Sequence, residues 1–140
     1  MCYFAGVYSA YYWQGAAWNV IIYNPFEQAS KFPKPKFEYY KHLAEFFERY
    51  DYNNLSPYKD HTLSAYGLRS SDGVFLYYVP QENYQLSNYD KSLWNKQGTY
   101  QWFNTRTGEY SQEMPYEGGH YVSPWRGEAD SILIRNSKSK

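Results

Sequence analysis

The sequence predicts a mainly β chain with one helix, an α+β fold whose larger part is an antiparallel β-sandwich. Three observations carry this. Aromatic residues make up 23% of the 140-residue chain, with 19 Tyr, 8 Phe and 5 Trp, and such residues suit a pleated, half-buried surface. From Tyr58 onward, apolar and polar residues alternate in short runs separated by turn signals, the pattern of a sandwich. One stretch alone, Phe37 to Arg49, has helical spacing.

The strand and turn pattern centres on Gly98 to Tyr110. Thr99, Gln101 and Phe103 alternate with Tyr100, Trp102 and Asn104, which predicts a strand. Asn104 can start a turn through its side chain, and Gly108 supplies a positive φ where the chain reverses. Asn104 to Glu109 is therefore expected to be a hairpin connection, a type I turn closed by a glycine bulge.

The remaining elements follow in order. Met1 to Tyr8 is short and apolar; Ser9 to Gly15 reads as a buried strand ended by glycine. Ala16 to Tyr23 is loop or strand, and the prolines from Pro25 to Pro35 mark a surface connection. In the helix, Phe37, Tyr40, Leu43, Ala44 and Phe47 recur at helical spacing, with Tyr39, Phe46 and Tyr50 widening the apolar arc. Glu38, Lys41, His42, Glu45, Glu48 and Arg49 fill the other side. Packing is expected through Tyr40, Leu43, Ala44 and Phe47. Residues 62–67 alternate, Ser70 to Gly73 is a turn, and Val74 to Val79 is the strongest strand. Tyr84 to Leu86, Tyr110 to Met114 and His120 to Val122 are short strands. Asp130 to Arg135 closes the sheet.

Composition removes several functions. Lys plus Arg equals Asp plus Glu at 14 each, so no basic face for nucleic acid is implied. The single Cys2 excludes an internal disulfide framework. His42, His61 and His120 lack metal-ligand spacing, so no metal and no cofactor are expected. No apolar run is long enough for a membrane helix. Met1 to Ala17 lacks the basic and aliphatic parts of a signal peptide. The chain starts abruptly in core-like sequence, which reads as the tail of a longer protein.

The order of parts resembles the C-terminal end of bacterial apiosidase-like hydrolases. In these a (β/α)8 barrel is followed by a small β-sandwich that carries a collagen-binding label. Ala17-Trp18-Asn19-Val20-Ile21 resembles an Ala-Trp-Asp-Val-Ile segment near the last barrel strand. Phe37 to Phe47 resembles the Tyr-x-Lys-His-Leu-x-x-Phe-Phe final helix. Trp102 to Glu109 resembles a Trp-Phe-Asn-Pro-Arg-Thr-Gly-Glu hairpin, and Asp130 to Ile134 resembles the closing strand. Thr105 replaces the turn proline, and Asn19 stands where the family has Asp.

The resemblance implies that residues 1–57 are the last strand and helix of an incomplete barrel and 58–140 the sandwich. It implies a fragment of a secreted or cell-surface glycoside hydrolase acting on plant or other polysaccharide. Such enzymes use a pair of carboxylates, which in barrels of this kind sit on earlier strands. Those strands are missing here, so no catalytic residue is assigned and the chain alone is expected to be inactive. Its expected partner is the missing barrel portion.

Tyr11, Tyr12, Trp13, Gln14 and Trp18 are the residues placed near a barrel mouth, and Tyr12, Trp13, Gln14 and Trp18 are assigned to substrate binding, since aromatics there stack on sugar and Gln14 can bond a hydroxyl. The plainer reading of these residues is packing. Trp94, Trp102 and Trp125 offer a second sugar platform or, again, core. Arg106 is a candidate anion ligand or a partner of Glu109. Two other readings stand beside the enzyme fragment: a free-standing module binding carbohydrate or protein, and a structural cap. A helix buried on the sandwich favours the cap; a flat exposed aromatic row favours binding. Self-association is expected of the first segment, and better behaviour of 58–140 alone.

Overall fold

The computed structural model describes residues 37–58, 65–83, 85–88, 98–117 and 119–137. Among these the fold is mainly β with a single α-helix, as expected. The helix α1 spans Phe37–Arg49. Eight strands follow: β1 (Leu55–Tyr58), β2 (Tyr66–Ser70), β3 (Val74–Val79), β4 (Gln85–Asn88), β5 (Thr99–Asn104), β6 (Met114–Pro115), β7 (Gly119–Val122) and β8 (Ser131–Asn136). Six form one antiparallel sheet in the order β1-β2-β3-β8-β5-β6, while β4 and β7 pair as a separate ribbon.

The closing strand is the centre of the sheet. β8 pairs with β3 on one side and with β5 on the other, placing Phe75, Arg135 and Tyr100 in one row across three strands. Ser131 to Arg135 are all buried, because both faces of the sheet are covered; a strand covered twice loses its apolar-polar alternation.

Alternation instead divides the core. Leu76, Ile132, Ile134, Leu68 and Phe103 pack with Phe46 and Phe47 of α1. Tyr77, Val79, Trp102 and Leu133 point the other way and pack with Leu86 and Tyr121 of the ribbon. The order of layers is helix, six-stranded sheet, ribbon.

The helix is rotated from the expected orientation. Phe46 is 1% exposed and Phe47 8%, with Leu43 and Tyr50 packed beside them, whereas Tyr40 is 42% exposed and Ala44 is exposed. Leu43 and Phe47 thus face the core as expected, and Tyr40 and Ala44 do not. The physical reason is the shape of the partner: Phe103 presents its ring to Phe46 at 4.6 Å between centroids. The stripe that meets it runs Leu43, Phe46, Phe47, Tyr50. Past the helix, Asp51 takes a left-handed conformation at φ 46, where an Asx residue is tolerated at a helix end.

β1 was not expected as a strand. It pairs with β2 only, and Pro57, which has no N–H to give a ladder, is suited to such an edge. The division expected at 57/58 falls inside this strand. The hairpin connection also differs in detail: the Gly108 N–H donates to the Asn104 carbonyl at 2.9 Å, an i,i+4 closure around a four-residue loop. Gly108 does have positive φ, at 77.

Candidate functional site

The most elaborate constellation lies where α1 meets the tip of the β5 hairpin. Asn104 is buried and its side-chain oxygen accepts from the Arg106 N–H at 2.9 Å and the Thr107 N–H at 3.1 Å. This side chain mimics a backbone turn, the role the sequence assigned to it. The Thr105 N–H and hydroxyl both donate to the Asp130 carbonyl, at 3.2 and 2.9 Å. The tip is thereby rigid and presents the Arg106 carbonyl outward to the helix.

His42 meets it. Its Nδ1 lies 3.1 Å from the Arg106 carbonyl oxygen. A carbonyl only accepts, so Nδ1 carries the proton. The fit is close: a Cβ on Gly108 would lie 2.9 Å from His42 Cδ2 and 3.0 Å from its Cγ. One helical turn on, the Phe46 and Phe103 rings meet at a tilt with centroids 4.6 Å apart, and the Arg49 guanidinium lies 4.6 Å from the Tyr110 ring centroid. Burial raises the Tyr110 phenol above its ordinary range, against the opposing pull of Arg49. Burial, with Tyr110 nearby, pushes Tyr50 up to about 12.

Between helix and hairpin lies an open cleft of about 360 Å³, lined by His42, Glu45, Arg49, Phe103, Thr107 and Tyr110 among others. Its carboxylate, Glu45, is exposed and lies 3.6 Å from Lys41. Glu38 and Glu48 are exposed as well, as expected of the polar side of the helix, and so is Glu109 after the hairpin turn. No group of three or more His, Cys, Asp or Glu suited to a metal occurs among the described residues.

A second constellation lies on the opposite face of the sheet. Arg135 is 0% exposed, and none of its three guanidinium nitrogens has a hydrogen-bond partner. Its guanidinium carbon lies 4.0 Å from the Tyr116 ring centroid and 5.2 Å from that of Phe75. The Tyr77 hydroxyl is buried too and has no well-formed hydrogen bond, although it lies near enough to the Arg135 guanidinium to interact with it. Burial raises the Tyr77 phenol strongly, with Arg135 the largest opposing influence.

Tyr12, Trp13, Gln14 and Trp18, the residues assigned to a substrate site, lie outside the described residues, as does Trp94. Trp102 is buried in the core beneath the ribbon, and Trp125 packs half-buried against the same core. These two therefore form no exposed platform. Arg106 is exposed and contributes backbone groups to the hairpin tip. Sequence reasoning missed His42, placed on the polar face of the helix, and Arg135. The signal for Arg135 was its place two residues beyond Leu133 on an alternating strand.

No family model matches the sequence, and no curated protein matches it. The fold is similar to part of a solved glycoside hydrolase of family 5 from Bacteroides vulgatus ATCC 8482. The TM-score is 0.55 at 16% identity, over 76% of this chain and 25% of that one. A second solved chain, a glycoside hydrolase, is similar with a TM-score of 0.60 at 14% identity, over 90% of this chain and 31% of the other. The chain thus spans between a quarter and a third of the length of these two structures. The likeness to both is one of fold alone.

Proposed function

We propose that this chain is the C-terminal part of a glycoside hydrolase, with residues 1 to about 57 as the barrel end and the rest as an accessory β domain. In this reading it does not catalyse alone. The described residues serve as a structural cap that holds the last barrel helix. The observation that carries the reading is the docking of α1: Phe46 and Phe47 buried on the sheet, and His42 bonded to the hairpin tip. The two solved glycoside hydrolases with this fold support it. A cap must grip one face of the helix and leave another for the barrel, and the exposed Tyr40 and Ala44 leave such a face. Burial of Trp102 counts against the rival reading of an exposed sugar platform.

Two measurements test this. The DNA upstream of the Met1 codon should encode, in frame, strands and helices of a barrel; an unrelated or empty region there would overturn the reading. The purified chain should release no aryl aglycone from a panel of aryl glycosides. Turnover abolished by replacing one of its own carboxylates would overturn the non-catalytic assignment.

A further inference from the structure

The buried guanidinium of Arg135 has no need to be where it is for the sheet to form. An apolar residue in the central strand would bring no charge to satisfy, whereas a charge withdrawn from water needs a partner. Here the ring faces of Tyr116 and Phe75 are the contacts. Cation–π contact offsets part of the lost hydration but takes up none of the five N–H donors of the fork. Beside it lies the Tyr77 hydroxyl. The two groups face each other on one side of one sheet without a well-formed hydrogen bond, and buried polar groups in this state need an explanation.

We propose that Arg135 and Tyr77 form a closed binding site for the carboxylate of a small monocarboxylate, covered by the Tyr116–Tyr121 ring pair. The inference is independent of the glycosidase reading. The guanidinium fork matches a carboxylate in bidentate fashion, and the Tyr77 hydroxyl supplies a further donor. One cation meets one anion, so the pair is neutral; a phosphate dianion would leave a net charge buried among Phe75, Tyr77 and Tyr116.

The cover is suited to opening. Tyr116 and Tyr121 stack on each other with centroids 5.2 Å apart and planes within 10°. Tyr121 belongs to the β4–β7 ribbon, which pairs with no strand of the main sheet. Two-stranded ribbons are marginal by themselves, and this one is held to the sheet by the packing of Leu86 and Tyr121 rather than by a strand ladder. Tethers stand at either end of β7: the Tyr116 N–H donates to the Gly98 carbonyl at 2.9 Å, and the Ser123 and Ser131 hydroxyls are 2.7 Å apart. Lifting of the ring pair between these tethers exposes the guanidinium edge.

The test is thermal unfolding of the full chain at constant ionic strength, with glucuronate, benzoate, phosphate or chloride added. A saturable rise in Tm with either carboxylate, and none with chloride, is expected. Tyr77→Phe should raise the Tm of the ligand-free protein slightly, because a hydroxyl without a well-formed bond leaves the core, yet weaken carboxylate binding about tenfold, the loss of one hydrogen bond to a charged group. Arg135→Met should abolish binding. Should that variant fail to fold, Tyr77→Phe still decides, since it removes one atom only. Absence of a saturable shift with either carboxylate would overturn the proposal. So would tighter binding of phosphate, or carboxylate binding that Tyr77→Phe leaves unchanged.

Discussion

Gly108→Ala tests whether the helix is locked to the hairpin. Two penalties fall on this substitution. Gly108 has φ 77, and an L-residue in that region costs about 1 kcal/mol. The new Cβ would also lie 2.9 Å from His42 Cδ2 and 3.0 Å from its Cγ. These atoms are at the base of the ring, so relief requires the whole imidazole to move. Movement breaks its bond to the Arg106 carbonyl, a further loss of about 1 kcal/mol. The sum is roughly 2 kcal/mol. Gly127→Ala is the control: φ is 75 and no atom lies within 4 Å of its Cβ, so only the first penalty of about 1 kcal/mol applies. Both substitutions stiffen the unfolded chain alike, and that contribution cancels in the difference. At roughly 4 °C per kcal/mol for a domain of this size, Gly108→Ala should lower Tm by about twice the Gly127→Ala shift. In a His42→Ala background the excess should vanish. Calorimetric scans of the parent chain, the two glycine variants, His42→Ala and the His42→Ala/Gly108→Ala double variant decide it: equal shifts for the two glycine variants would mean that the hairpin tip does not seat on His42, and the cap geometry would fall with it.

Other outcomes follow from the same contacts. Phe46→Ala should destabilise by about 3–5 kcal/mol in urea unfolding, since the ring is 1% exposed between Phe103 and Phe47; a loss below ~1 kcal/mol would place it outside the core. Glu45→Gln should change stability by less than ~1 kcal/mol, because its 3.6 Å pair with Lys41 is well exposed. Alkaline unfolding should set in as pH rises past the ordinary phenol range. The folded-state pKa of Tyr50 is raised from 10.0 to about 12 and Tyr78 is raised as well, by burial and then by its bond to Asp130. The unfolded chain therefore releases these protons first, and stability present below about pH 10 is lost between there and about pH 12. Phenolate absorbance that rises well before the loss of secondary structure would contradict this. Finally, removal of residues 1–57 would uncover Leu68, Leu76, Ile132 and Ile134 beneath α1 and strip most of β1 from the sheet. The 58–140 fragment is expected to aggregate in light scattering, the reverse of what its sequence alone suggests; a monodisperse folded fragment would refute the role given to the helix.

What the sequence determined is what depends on near neighbours. The helix Phe37–Arg49, the Val74–Val79 strand and the closing strand follow from apolar period and turn residues, and they form as expected. Asn104 and Gly108 act through their own side chain and φ, so their roles at the hairpin were legible without any partner. What only the tertiary structure decided is which faces meet. The apolar arc of α1 spans half its circumference, and such an arc does not say which stripe is covered. The position of Phe103 selects the stripe of Phe46 over that of Ala44, because two rings facing across one gap fill it better than one ring and a methyl. Pro57 argues locally against a strand, and β1 exists because the free edge of β2 accepts it. Arg135 reads as the polar end of a strand; the register that sets it between Phe75 and Tyr100, beneath the Tyr116 ring, is a property of three strands and a loop far apart in the chain. Long-range pairing, which no local pattern encodes, turned that residue from a solvated arginine into the most deeply buried charge of the described fold.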